Sequence, residues 1–195
     1  MSIIGRKIDY TIDSPIDNYI LYIIEYVAPL FNLLNITPNI LTTISLLLSI
    51  NGIYHVSINN YKYGAILTFI GYMFDCSDGY IARRYNQGSE FGDIYDHTSD
   101  IFKMIFLVIM IIKSTINYRT KVIFMVIFCI FMMLSNAYLG CVELYQPTNC
   151  ILAPLKMLVP DKSYIIYLRY TGTGTFFMII STFIYNMYLI DNIII

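Results

Sequence analysis

The chain has 195 residues, 57% apolar and 13% charged, with a net charge of −1 and a mean hydropathy of +0.64. Soluble domains are about a quarter charged, so 12 basic and 13 acidic residues are too few to build a water-facing surface. These values exclude a disordered chain, give no reason to expect a nucleic-acid partner, and describe a protein solvated largely by lipid. Cys76, Cys129, Cys141 and Cys150 form no CxxC pair, so neither a zinc site nor a disulfide framework is indicated.

The first 30 residues lack the basic, apolar, small-residue order of a cleavable leader. Ser14-Pro15-Ile16-Asp17 has the form of a capping box with Asp in the Glu position. It predicts a mainly apolar helix from Tyr19 to Val27 that Pro29 ends or kinks. Asp17 and Glu25 suit an interfacial helix better than a spanning one. Thr37-Pro38 then opens a charge-free run from Ile40 to Ile58. The next helix starts near Tyr63, is apolar to Phe74, and meets Asp75 and Asp78 before ending near Arg84. Its successor is the reverse, with Asp93, Asp96 and Asp100 first and an apolar stretch from Ile101 to Ile112. Val122–Gly140 and Thr171–Ile190 carry no charge, and one further helix is expected between Cys141 and Tyr170. Glu143 reads as a loop residue.

The predicted fold is therefore all-α, a polytopic membrane bundle of about six transmembrane helices with an N-terminal interfacial helix. Residues 1–36 form the interfacial segment and 37–195 a single membrane domain. Arg6, Lys7, Arg83 and Arg84 fall on one side, and Lys62, Lys113, Arg119 and Lys121 on the other. Positive charge therefore does not orient the bundle.

Six of the 13 acids lie between Asp75 and Asp100. Carboxylates at a membrane boundary are costly unless paired or bound to a cation. Asp75 and Asp78 are spaced i, i+3, and Asp96 and Asp100 are spaced i, i+4, so each pair shares a helix face. Antiparallel helices joined by the turn at Tyr85–Ser89 bring the pairs together. Four carboxylates around one point call for a multivalent cation, and all-oxygen ligation favours Mg²⁺ or Mn²⁺, with room for two ions. Gly79 and Ala82 clear the same face one turn after Asp75 and Asp78. Arg83 supplies a fixed cation suited to phosphate, and Gly92 lets the two helices approach.

Asp75-x2-Asp78-Gly79-x2-Ala82-Arg83-x8-Gly92-x3-Asp96-x3-Asp100 resembles the full signature of the class-I CDP-alcohol phosphatidyltransferases. The resemblance implies cleavage of the phosphoanhydride of a CDP-linked donor, release of CMP, and transfer of the remaining substituted phosphate to an alcohol. One of the two substrates is a lipid. It implies that Asp75, Asp78, Asp96 and Asp100 hold two divalent ions, with Asp100 also the general base. Gly79, Ala82 and Arg83 would line the CDP pocket. It further implies a site at the cytosolic membrane face, in the endoplasmic reticulum of a eukaryote, and a homodimer as one assembly the family adopts.

Asn86-Gln87-Gly88-Ser89 with Phe91-Gly92 is similar to phosphatidylinositol synthases, and Asp78-Gly79-Tyr80 with Ala82-Arg83-Arg84 to phosphatidylglycerophosphate synthases. Asp96-His97 is similar to the cholinephosphotransferases and ethanolaminephosphotransferases, which pair a CDP-amino alcohol with diacylglycerol. The short chain favours CDP-diacylglycerol as donor. The alternatives are a CDP-choline or CDP-ethanolamine:diacylglycerol phosphotransferase, an aspartate-rich membrane prenyltransferase, and a non-catalytic lipid-binding membrane protein. Asp93 reads as a solvated boundary residue and His97 as structural.

Overall fold

A computed structural model of the protein describes residues 4–146 and 152–194, and all regular structure in it is helical. Cys150 lies outside the described residues. Helix α1 (Pro15–Leu33) is capped by the Ser14 hydroxyl, which accepts from the Asp17 amide at 3.5 Å, with Pro15 in the first turn. Only half of the expected capping box forms. The Asp13 carboxylate, not Asp17, takes the Ser14 amide, at 2.8 Å. The helix also runs through Pro29, because proline removes one backbone bond near the last turn without ending the helix. Asp17, Ile20, Leu21, Ile24 and Ala28 face inward, while Tyr19, Tyr26 and Leu33 are exposed.

Four long helices follow: α2 (Pro38–Ser57), α3 (Tyr61–Arg84), α4 (Glu90–Lys113) and α5 (Tyr118–Tyr145). Helices α1, α2 and α3 stop in the same way. Asn35, Asn59 and Asn86 each take a positive φ just past the helix end, at 53°, 63° and 53°. The following amides turn back onto the last turn: Ile36 to the Phe31 carbonyl, Asn60 to His55 and Gln87 to Ala82. Asn stands where Gly is usual, since its short polar side chain tolerates the left-handed region.

Helix α2 packs most closely on α3. Gly52 and Gly64 face each other there, and a Cβ on Gly64 would meet the Gly52 carbonyl oxygen at 2.7 Å. Buried Ile53, Val56, Ala65, Tyr72, Leu107, Ile111, Phe124, Phe128, Phe176 and Ile180 make one core between the long helices. The opposite faces are apolar too: Ile101, Phe102, Ile105, Ile109 and Ile112 on α4, and Val122, Val126, Ile130 and Met133 on α5, are exposed. An apolar outer face over an apolar core is what lipid solvation demands.

Residues 153–171 do not form the further continuous helix expected from the sequence. They make a 3₁₀ turn at Ala153–Leu158, short turns at Lys162–Tyr164 and Arg169–Thr171, and the four-residue α6 (Ile165–Leu168). Pro154 and Pro160 each remove a backbone donor within this stretch. The segment returns to the end of the bundle it left. Tyr138 of α5 bonds Asp13 at 2.6 Å, and Gly172 lies against both Ser14 and Tyr138. Helix α7 (Thr173–Tyr185) then runs away from that end, breaks at Asn186, and continues as α8 (Met187–Ile194) at a 61° bend. Asp191 on α8 accepts from the Asn117 amide and the Thr120 hydroxyl, closing the far end against the start of α5.

By length and composition, α2 and α5 can cross a membrane, and the bent pair Lys162–Tyr185 and Met187–Ile193, which holds α7 and α8, can count as a third crossing. Helices α3 and α4 are equally long, at 24 residues each, but carry the acidic cluster at one end.

Candidate active site

The cluster forms where α2 begins, α3 ends and α4 begins. Ser89 caps α4, its hydroxyl accepting from the Gly92 amide at 3.0 Å. This fixes the direction in which Asp93, Asp96 and Asp100 leave the turn. Gly92 sits against the Asn39 side chain at the start of α2, where a Cβ would stand 3.0 Å from Oδ1. The acidic end of α4 is thereby held close to α2.

Asp75, Asp78 and Asp96 each offer a carboxylate oxygen within 4.8 Å of the others. Asp96 and Asp100 form a second such group with His97. Three of the four predicted ligands therefore meet at one point, and Asp100 joins through Asp96. Among the described residues, Asp96 Oδ1 is buried with no hydrogen-bond partner. An orphaned anionic oxygen beside two further carboxylates, with oxygen-only donors, fits a hard divalent cation.

Three further side chains hold the carboxylates in place. The Thr42 hydroxyl donates to Asp78 Oδ2 at 2.6 Å. The Ser45 hydroxyl meets Asp75 Oδ1 at 3.1 Å. Thr42 and Ser45 are spaced i, i+3 in a charge-free run that also holds Thr43, Ser49 and Asn51, so spacing alone does not single them out. The Lys103 ammonium, 4% exposed at its side chain, lies 2.6 Å from Asp75 Oδ1 and 2.7 Å from Asp100 Oδ1. His97 lies between two acids, with Nδ1 3.4 Å from Asp96 and Nε2 3.5 Å from Asp93.

A cleft of about 440 Å³ opens beside the cluster. Asp78, Gly79, Ala82 and Arg83 of α3 line one wall, and Gly92, Asp93, Asp96 and His97 of α4 the other. Asp75 and Asp100 stand beside the lining residues, with the Asp100 side chain 37% exposed and both paired with buried Lys103. Arg83 is exposed to the cleft. Its Nε donates to the Gly5 carbonyl at 2.8 Å, and its terminal nitrogens lie over Gly79, about 3.1 Å from where a Cβ would stand. Gly79 thus leaves room for the guanidinium to fold back along the helix.

Lys7 also lines the cleft, bound at 2.5 Å to Glu143. Glu143 is helical and buried, not a loop residue, because the N-terminal segment folds over the end of α5 and brings it a cation. Behind the cleft Asp17 accepts from the Tyr72 hydroxyl and from the Gly174 amide. It is a buried junction between α1, α3 and α7, and not the interfacial charge its position suggested.

Comparison with known proteins agrees with this arrangement. An uncharacterized protein of Aquifex aeolicus (strain VF5) is 34% identical over 84 residues, 42% of this chain and 43% of that protein. The match therefore spans less than half of that relative's length. No solved structure matches the chain. Residues 35–190 match the family described as CDP-alcohol phosphatidyltransferase, a stretch holding every residue of the carboxylate cluster, so the chain belongs to that family of phospholipid-synthesising transferases.

Proposed function

We propose that the protein transfers a substituted phosphate from a CDP-linked donor to an alcohol at this cleft and releases CMP, with CDP-diacylglycerol as donor. The observation that carries the reading is the meeting of Asp75, Asp78 and Asp96 oxygens beside the wall formed by Gly79, Ala82 and Arg83. Asp75, Asp78, Asp96 and Asp100 would hold two Mg²⁺ or Mn²⁺ ions. Ions held there would supply positive charge against the diphosphate and the charge developing on CMP.

The chain's own residues do the rest. Arg83, which lines the cleft, grips the donor phosphates with its guanidinium. Gly79 and Ala82 admit the nucleotide close to α3. Asp100 takes the proton of the acceptor hydroxyl, whose oxygen attacks the phosphorus bearing the substituent. The bond from that phosphorus to the bridging oxygen breaks, and CMP leaves with the electron pair. His97 also keeps a second reading in view, CDP-choline or CDP-ethanolamine as donor and diacylglycerol as acceptor, because it stands in the cleft between Asp93 and Asp96.

For the membrane we propose that α2, α3, α4, α5 and the α7–α8 unit are the crossings, with α1 at the interface. The sequence suggested about six. The fold of residues 153–171 along the site end supports five. The cleft then faces the cytosol, and a homodimer would form through the lipid-facing helices.

The test uses purified full-length protein in lipid, a panel of CDP donors and alcohols, and product lipids identified by mass spectrometry. CMP release that needs Mg²⁺ and falls roughly 10²–10⁴-fold in Asp100→Asn is expected. Absence of metal-dependent release with every donor would sink the reading. Turnover of isoprenyl diphosphate, or of no substrate at all with the fold intact, would support the prenyltransferase or the lipid-binding alternative.

A further inference from the structure

We infer that Lys103 is a built-in cation of the carboxylate cluster, and that it limits the cluster to one tightly held divalent ion until substrate arrives. The inference rests on the metal-binding reading above and goes beyond it, because no part of the signature includes this residue.

The geometry is specific. Lys103 lies three residues past Asp100 on α4 and is buried. Its ammonium has three N–H donors and three partners: Asp75 Oδ1 at 2.6 Å, Asp100 Oδ1 at 2.7 Å and the Ser45 hydroxyl at 3.1 Å. The ammonium hydrogen-bonds Asp75 and Ser45 and pairs by charge with Asp100, and so bridges α2, α3 and α4. It takes one oxygen from Asp75 and one from Asp100. Asp75, Asp78 and Asp96 still bring one carboxylate oxygen each within 4.8 Å of one another, and Asp96 Oδ1 has no hydrogen-bond partner.

Three oxygens on Asp75, Asp78 and Asp96 suit one ion. A second ion near Asp100 would meet a fixed positive charge already seated on that carboxylate. Like charges at such separations repel strongly in a partly buried site. The second ion must then depend on oxygens brought by the donor's diphosphate, which add negative charge and ligands together. Lys103 acts through Asp75 and Asp100 and so is a positioning residue.

The test measures Mn²⁺ binding to the detergent-solubilised full chain without nucleotide, by equilibrium dialysis and electron paramagnetic resonance. Wild type is expected to bind one Mn²⁺ tightly, with a second at least tenfold weaker. Lys103→Met should raise the tight stoichiometry from one to two, and Lys103→Arg, which keeps the charge, should restore one. Two ions of equal affinity in wild type overturn the inference by themselves, even if Lys103→Met fails to fold. One tight ion in both wild type and a folded Lys103→Met also overturns it, and leaves the metal site standing. No Mn²⁺ bound by any variant removes the metal reading and this inference together.

Discussion

Thr42 donates its hydroxyl hydrogen to Asp78 Oδ2 and so fixes the carboxylate that meets Asp75 and Asp96. Removing such an orienting partner costs roughly 10–100-fold in metal affinity or activity. Thr42→Val is expected to raise the Mg²⁺ concentration for half-maximal CMP release by that factor and to leave the fold intact. Behind the cleft, burial pushes the Asp13 carboxyl above its ordinary value of 3.8, against the lowering bonds from Tyr138 and Ser14. A folded-state value above the unfolded one means that Asp13 is best tolerated protonated. Its contribution to stability is complete below 3.8 and is lost as pH rises through the raised value. Asp13→Asn should therefore gain melting temperature over wild type at neutral pH, and the gap should close as pH falls toward 4; a gap independent of pH would contradict the assignment. The eight signature positions were legible at this scale because their spacing is local. Thr42, Ser45 and Lys103 were not, because their value depends on which helix faces which.

Helix boundaries are set by a device repeated three times, an Asn in the left-handed region after α1, α2 and α3. The left-handed conformation costs a residue with a Cβ about 1–2 kcal/mol, and Asn less than most. Asn86→Ala is expected to destabilise the protein by about 1 kcal/mol, and Asn86→Gly to be neutral or better, read from thermal unfolding in detergent. The turn after Asn86 also aims α4, so Asn86→Ala should weaken Mg²⁺ binding while Asn86→Gly does not. The long apolar runs were readable as helices because lipid solvation imposes length and apolarity on each one separately. The stretch 153–171 misled for the same reason. Its apolar content resembles a span, but Pro154, Pro160 and contact with the end of α5 fold it into short turns.

Across the whole molecule, polar chemistry collects at one end. The cleft, the N-terminal segment, the Lys7–Glu143 pair and the start of α7 share it, while Asn59, Lys62, Thr115 and Asp191 mark the other. Single cysteines at Gly88 and Asn60, in a background without native cysteines, should react with membrane-impermeant maleimide from opposite faces of sealed vesicles. A cysteine at Lys156 should react from the same face as Gly88. Labelling of Lys156 from the Asn60 face would restore the sixth crossing and displace the five-pass architecture. Composition by itself determined that the solvent is lipid, since a chain 13% charged cannot cover itself in water. Local spacing by itself determined which carboxylates share a helix face and which family they resemble. Only the tertiary structure decided that Asp75 and Asp100 meet over the Lys103 ammonium, that Asp17 and Glu143 are buried, and that residues 153–171 return to the site end. The physical reason is that ion pairing and burial depend on distances between helices, whereas periodicity and composition constrain each helix alone.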